Sequence, residues 1–190
     1  MLTQLLINKL THCIFNILVY KIYMLKISCF ITFILFCVNA YADKNMKIGV
    51  QGNLNEVDRT VKVIMYDNYY EPKSLKIEAG ETIKFEVTNA GVLVHEFNIA
   101  NSMMHKKHQP EMKKMFELGI LKVTSIDKQK MKKMAKIDKA MAHSHSNSLL
   151  LQPGEKANLI WKFENAINIE IACNVPGHYQ AGMIATVDIN

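Results

Sequence analysis

The chain has 190 residues and a formal net charge of +6, and it is long enough for one domain with a sizeable core. The positive charge is concentrated in residues 101–147, which hold 11 basic and four acidic residues, whereas the rest of the chain after residue 42 holds nine basic and 13 acidic residues. A uniformly basic protein is therefore excluded, and we expect an acidic body with a basic insert and no nucleic-acid partner.

The first 42 residues have the composition of an export signal. They contain no acidic residue, and residues 27–38 form an apolar run that precedes Ala40-Tyr41-Ala42, a small-x-small pattern typical of a signal-peptidase site. We predict a signal peptide over 1–42, with Met24 as an alternative start, and a mature periplasmic domain over 43–190. The alternative is a retained membrane anchor, for which the apolar run is short because a span needs about 20 residues.

Alternation of apolar and polar residues predicts about seven or eight short β-strands separated by turn residues. The predicted strands cover residues 60–66, 74–78, 82–88, 93–100, 148–151, 157–163, 167–172 and 183–189. Residues 69–72 are predicted to form a turn, and residues 43–59 a loop or a loose first strand. This pattern is typical of an all-β antiparallel sandwich or barrel, interrupted here by the insert at 101–147.

The segment from Cys173 to Met183 carries the most specific chemical pattern. Its C-x4-H-x4-M spacing places a thiolate, an imidazole and a thioether in one short loop, in which Pro176-Gly177 supplies a turn before His178. The other cysteines, Cys13, Cys29 and Cys37, lie in the predicted signal peptide. Cys173 therefore has no internal disulfide partner, and metal ligation is the use that its neighbours favour over a buried, inert thiol.

One further imidazole would complete the two-His, one-Cys set with a weak axial Met that is found in blue-copper sites. His95, in the predicted strand 93–100, is the candidate. Cys173 ends one predicted strand and Met183 begins the next, so the loop residues lie at one end of the sandwich. We therefore predict the metal ligands His95, Cys173, His178 and Met183, provided that the strand of His95 adjoins that end.

Three passages resemble the cupredoxins, the family of blue (type 1) copper proteins. They are residues 77–83 with Asn89, the run Val94-His95-Glu96-Phe97, and residues 173–183. The resemblance implies an exported Greek-key β-sandwich in which His95, Cys173 and His178 are equatorial copper ligands and Met183 is the axial ligand. The His-Glu-Phe run is similar to that of cupredoxins linked to copper tolerance, and the ligand spacings are similar to those of plastocyanin and azurin.

Two departures from the family pattern bear on function. Many electron-transfer cupredoxins have Asn after the first ligand His, where this chain has Glu96, which implies different hydrogen bonding around the site. Multicopper oxidases flank the copper-binding Cys with His, whereas Ala172 and Asn174 flank Cys173. The loop also lacks the second Cys of the dinuclear centre in cytochrome oxidase subunit II, so we expect no enzymatic activity.

The insert is rich in soft ligands. It holds seven of the ten methionines and four of the six histidines found after residue 42, and thioethers and imidazoles bind Cu(I) and Cu(II). The residues concerned are Met103, Met104, His105, His108, Met112, Met115, Met131, Met134, Met141, His143 and His145. The alternative is packing, because Met112, Met115, Phe116 and Gly119 also follow the spacing of a buried helix face.

Two roles follow. The first is a periplasmic copper-binding protein in copper tolerance, with extra copper bound at the insert. The second is an electron-transfer protein that shuttles one electron and docks an acidic partner, such as a cytochrome or a copper-handling protein, on its basic insert. A third hypothesis, which the sequence favours least, is a copper-free sandwich of the adhesion type. Contact with a membrane is expected only if the N-terminal segment is retained.

Overall fold

The computed structural model describes Lys21, residues 48–164 and residues 166–190. The signal peptide predicted over 1–42 lies outside the described residues, apart from Lys21. The described β-rich part belongs to one compact unit, residues 45–190. Among the residues that the structure describes, no helix is both long and apolar enough to cross a membrane.

In the part of the chain that the structure describes, ten strands form two five-stranded sheets that pack face to face. Sheet one has the order β1-β8-β5-β2-β3 and sheet two the order β4-β10-β9-β6-β7. The strands are β1 Val50–Gln51, β2 Arg59–Tyr66, β3 Tyr69–Glu71, β4 Ser74–Ile77, β5 Thr82–Asn89, β6 His95–Ala100, β7 Ser148–Leu151, β8 Lys156–Lys162, β9 Glu170–Ala172 and β10 Ile184–Ile189. Each sheet contains one parallel pair, β2 with β5 and β4 with β10, so the sheets are not purely antiparallel as predicted.

The core lies between the sheets, where the alternating apolar residues point inward. On β5, Ile83, Phe85 and Val87 are at most 1% exposed, as expected for side chains that share one face of a strand. The Phe85 ring lies 5.2 Å from the ring of Phe97 on β6, which joins the two sheets. The predicted all-β sandwich is therefore confirmed.

The predicted strand count of seven or eight is too low because β3 was predicted as a turn and β1 as part of a loop or a loose first strand. Residues 69–71 form β3 rather than a turn. The turn lies two residues earlier in the chain, at Asp67-Asn68, where Asn68 adopts a left-handed φ of 70°. Another predicted strand, 167–172, is shorter than expected. It corresponds to β9, which begins only at Glu170, because Asn168 has a left-handed φ of 50° and Ile167 is exposed to solvent.

The insert leaves sheet two after β6 and returns to it at β7. It contains helix α1 (Ser102–Glu117), helix α2 (Lys128–Met134) and a short 3-10 helix (Lys139–Ala142). The Asn101 side chain caps α1 by accepting a hydrogen bond from the Met104 N–H. The predicted partly helical insert is thus observed.

The insert covers the outer face of sheet two. All six residues of β6 are buried, because one face of the strand looks into the sandwich and the other lies under the insert. Near the start of β6, Val94 N–H donates to the Val123 carbonyl of the insert at 2.9 Å. Met112 and Met115 are fully buried in this layer, and each buried methionine contributes about 1.5–3 kcal/mol. Phe116, predicted for the same stripe, is 41% exposed, so the buried face of α1 is narrower than expected.

Candidate metal centre

His95 is the first residue of β6, and the loop before it is held by the buried Asn89. The Asn89 side-chain amide donates to the carbonyls of Leu93 at 2.8 Å and Leu151 at 2.9 Å. Its Oδ1 accepts the Gly91 N–H at 3.0 Å. These bonds fix the loop that delivers His95, because a buried amide with three partners has no alternative arrangement of equal energy.

The loop between β9 and β10 folds back on itself as predicted. Cys173 N–H donates to the Met183 carbonyl at 3.2 Å, and Met183 N–H donates to the His178 carbonyl at 3.0 Å. Gly177 and Gly182 have φ values of 91° and 87°, which side chains rarely adopt. The loop is therefore closed by its own backbone, with His178 and Met183 held next to Cys173.

Three of the predicted ligand atoms converge at this end of the sandwich. His95 Nδ1 lies 3.2 Å from His178 Nδ1, and Cys173 Sγ lies 3.4 Å from His178 Nδ1 and 4.0 Å from His95 Nδ1. Around one ion with bonds of about 2.0 Å to nitrogen and 2.3 Å to sulfur, such atoms stand about 3.3–4 Å apart. Met183, whose backbone is hydrogen-bonded to Cys173 and His178, is fully buried. The donor set and its spacing fit a type 1 copper ion.

Burial favours the metal-binding form of the two imidazoles but not that of the thiol. It raises the pKa of the Cys173 thiol to about 12, so a metal must displace the proton. Burial and the neighbouring His95 lower the pKa of His178 to about 4, and burial also lowers the pKa of His95, partly offset by Asp67. Both imidazoles are therefore neutral near pH 7, as metal ligation requires.

Asp67 supports His95 from the side opposite Cys173. Its Oδ1 lies 2.9 Å from His95 Nε2 and accepts the Val92 and Leu93 N–H groups at 3.1 and 3.2 Å. A carboxylate on Nε2 favours the tautomer with Nδ1 free to bind a metal. Asp67 was not predicted from the sequence, because only the pairing of β2 with β5 brings the Asp67-Asn68 turn to this loop.

Glu96, the residue after His95, holds the Cys173 loop in place by hydrogen bonds. Its Oε2 accepts the Asn174 backbone N–H at 3.1 Å and the Asn174 side-chain amide at 2.8 Å. The Glu96 N–H in turn donates to Cys173 Sγ at 3.3 Å. The side chains of His95 and Glu96 point to opposite faces of β6, so Glu96 lies under the insert and not in the sandwich.

Most methionine side chains of the insert pack against the hydrophobic core and do not extend into solvent. Met112, Met115 and Met141 are at most 1% exposed and belong to the hydrophobic core, which supports the packing alternative for them. Met103 is 51% exposed. Met104, Met131 and Met134 are partly buried against the core.

The histidines of the insert turn toward the sheet. His105 is fully buried, with Nδ1 3.0 Å from the Asn174 side-chain amide. His108 and His143 both approach Glu96. His143 and His145 differ in exposure, since the His143 side chain is only 2% exposed whereas the His145 side chain is 40% exposed and lies 3.0 Å from Glu111.

The chain is similar in sequence and in fold to known proteins. A family model described as a cupredoxin-like domain matches residues 28–127. The copper-resistant cuproprotein CopI of Pseudomonas aeruginosa is 37% identical over 174 residues, covering 87% of this chain and 96% of that protein. A protein of the same name from Rubrivivax gelatinosus is 27% identical, covering 76% of this chain and 74% of its own length.

Among solved structures, auracyanin B superposes with a TM-score of 0.53 at 17% identity, covering 75% of this chain and 96% of auracyanin B. At that identity the likeness concerns the fold alone, and it agrees with the two-sheet sandwich. The family model spans half of the chain and includes His95, while the relative from P. aeruginosa extends over most of its length. The chain therefore belongs to the cupredoxin family.

Proposed function

We propose that this chain is a periplasmic type 1 copper protein that acts in copper tolerance and homeostasis, and that it is not an enzyme. The observation that carries the proposal is the convergence of His95, Cys173 and His178 at one buried end of the sandwich. The 37% identity to a copper-resistant cuproprotein supports the role in tolerance. The predicted signal peptide supports the periplasmic location.

In this proposal His95, Cys173 and His178 would hold the ion, and the thioether of Met183 would be the fourth, weaker donor. Copper, when bound, supplies a one-electron couple between Cu(I) and Cu(II). The chain excludes water from the sulfur, since Cys173 is fully buried, and it keeps both imidazoles oriented. Asp67 and Glu96 restrict movement of His95 and of the Cys173 loop, so one ligand geometry serves both oxidation states.

The proposal extends to additional copper held by the insert. Its exposed candidate ligands include Met103, which is 51% exposed, and the His145 side chain, which is 40% exposed. Deleting the insert is a poor test, because the deletion would uncover β6 and remove buried core residues such as Met112. Point substitutions leave the fold in place.

The test compares copper tolerance in cells that carry the wild-type chain or Cys173→Ser. We expect the variant to lower the copper concentration that permits growth, and its purified form to lose the intense visible band of a thiolate-bound Cu(II). Lys62→Gln, an exposed change on β2, is the control and should alter neither. Unchanged tolerance in Cys173→Ser cells, at equal protein level, would contradict the role in tolerance.

Electron transfer to an acidic partner is the second candidate, favoured by an open groove of about 590 Å³ beside the Cys173 loop. One side of the groove belongs to α1 and the other to the loop. It is lined by Lys106, Gln109, Lys113, Asn174, Pro176 and Gln180, among others. The lysines would attract an acidic surface to the neighbourhood of the copper ligands.

Replacing Lys106 and Lys113 together by Glu separates the two candidates. If electron transfer is the role, reduction by an acidic cytochrome becomes slower and less dependent on salt, while the copper spectrum is unchanged. If tolerance alone is the role, growth in copper is unaffected by the same substitutions.

A further inference from the structure

A second cluster of metal-ligating side chains lies on the outer face of β6. Glu96 Oε1 is 2.7 Å from His143 Nε2 and 3.0 Å from His108 Nε2. The ligand atoms of the three residues all lie within 4.8 Å of one another. Their side chains are 0%, 2% and 11% exposed for Glu96, His143 and His108. The cluster is separate from His95, whose side chain points to the opposite face of the strand.

Three parts of the chain are required to build this cluster. Glu96 comes from β6 and His108 from α1, while His143 follows the 3-10 helix and adopts a left-handed φ of 46°. A non-glycine residue in that conformation is uncommon, and it costs conformational energy that the surroundings must offset. Here the conformation accompanies a His143 side chain that is buried on Glu96.

Neighbouring groups hold the carboxylate and one imidazole in place. Glu96 Oε1 also accepts the Ser148 hydroxyl at 2.7 Å and the Asn98 amide at 3.1 Å. On the far side of His108, Nδ1 lies 3.6 Å from Glu111 Oε2. A carboxylate near one ring nitrogen orients the other nitrogen toward a metal, as in known zinc sites.

The ligand types select a class of ion. Two imidazoles and one carboxylate suit borderline divalent cations, Cu(II) and Zn(II), and Cu(II) binds such sets more tightly. Glu96, His108 and His143 offer only nitrogen and oxygen donors, so a preference of these three ligands for Cu(I) is not expected. An open groove of about 280 Å³, lined in part by Asn98, His108 and His145, reaches the cluster at His108.

The carboxylate of Glu96 also links this cluster to the type 1 ligands. Its second oxygen, Oε2, accepts the N–H of Asn174, the residue after Cys173, and its own N–H donates to Cys173 Sγ. A cation on Oε1 would therefore place positive charge on the opposite face of β6 from the type 1 ligands. Positive charge nearby favours the reduced ion, because Cu(I) carries less charge than Cu(II).

We propose that Glu96, His108 and His143 form a second metal site, which binds one divalent cation of the Cu(II) or Zn(II) class. An ion bound there raises the reduction potential of the type 1 centre. The site itself stands on the geometry of the cluster and does not depend on a role in copper tolerance. The effect on the potential rests on the proposed type 1 site.

The test titrates Zn(II) into the full chain after its type 1 site has been loaded with copper. Calorimetry and metal analysis should find one tightly bound Zn(II) per chain, and voltammetry should find a higher reduction potential. His143→Gln should weaken Zn(II) binding by about 100-fold or more, since outer-shell partners alone account for about 10–100-fold. His145→Gln, the matched change two residues away, should weaken it by less than about 10-fold.

His108, Glu111 and His145 form a neighbouring ligand set, and the matched pair of variants distinguishes it. Loss of Zn(II) binding in His145→Gln but not in His143→Gln would overturn the proposal, as would equal binding in all three proteins or no Zn(II) bound by the wild type. The visible copper band reports whether each variant is folded. Should His143→Gln not fold, anomalous diffraction from wild-type crystals soaked in Zn(II) must show the ion at Glu96.

These outcomes are distinguishable from failure of the proposed function. A missing thiolate band on loading the wild type with Cu(II) would refute the type 1 site, and Zn(II) binding to Cys173→Ser would still test the second site. Tight Zn(II) binding without any shift of the potential would overturn the linkage between the sites.

Discussion

Replacing Asp67 by Asn isolates the charge that stands behind His95. Asp67 Oδ1 is 2.9 Å from His95 Nε2, while Nδ1 of the same ring faces Cys173 and His178. The substitution removes one negative charge but keeps the shape of the side chain, and an amide oxygen still accepts the same hydrogen bonds. We therefore expect intact ligand geometry and a changed reduction potential.

The magnitude follows from the width of the imidazole ring, which places the carboxylate about 6 Å from an ion on Nδ1. Unit charges at that separation interact by about 0.7 kcal/mol in water and about 2.8 kcal/mol at an effective dielectric constant of about 20. Because the Asp67 side chain is 35% exposed, we take the lower part of this range, about 0.7–1.5 kcal/mol. The negative charge stabilises Cu(II), so its removal should raise the potential by about 30–65 mV.

The assay is voltammetry of the copper-loaded proteins at pH 7, with the visible band as the check on the ligands. Glu117→Gln makes the same charge change at the exposed end of α1, where the Glu117 side chain is 61% exposed, and should leave the potential within a few millivolts. An unchanged or lower potential in Asp67→Asn, with the visible band intact, would refute the electrostatic reasoning.

Three further predictions concern the same centre. Gly91→Ala would place a Cβ 2.3 Å from Asp67 Oδ1 and 3.0 Å from His95 Nε2; we expect at least about tenfold weaker copper binding in chelator competition, and wild-type affinity would show that the Asp67 contact is dispensable. Cys173→Ser should abolish the intense visible band and shift the thermal midpoint of the metal-free protein by no more than about 4 °C; a retained band would refute the ligand assignment. Because the pKa of His178 falls to about 4 on folding, the unfolded chain binds more protons between about pH 4 and 6.5, and the metal-free protein should lose stability as pH falls through that window. Urea unfolding of His178→Gln should show a weaker dependence on pH there, and parallel curves for the two proteins would contradict the assignment.

Local patterns were sufficient for much of the fold. The strand over residues 82–88 was predictable because Ile83, Phe85 and Val87 alternate with polar residues, and all three are buried. The Cys173–Met183 loop was predictable because its candidate ligands lie within a segment of 11 residues. Local spacing determines what such a loop can bring together.

Features that depend on distant pairing were not predictable. Asp67 and His95 are 28 positions apart and meet only because β2 pairs with β5. The contacts of Glu96 with His108 and His143 require the insert to fold back over sheet two, which no periodicity within the insert indicates. The apolar spacing along α1 also did not predict that Phe116 would be exposed, because the width of the buried helix face depends on the surface that the helix covers.

The alternation of side chains along β6 makes the two ligand clusters dependent on a single structural register. A one-residue insertion between Glu96 and Phe97, with the rest of β6 still paired to β7, would exchange the faces of His95 and Glu96, placing a carboxylate among the type 1 ligands and an imidazole under the insert. Both clusters would then be lost in one step, although every residue that forms them would still be present. Variation in chain length should therefore be tolerated in the exposed turns of the insert and strongly selected against within β6.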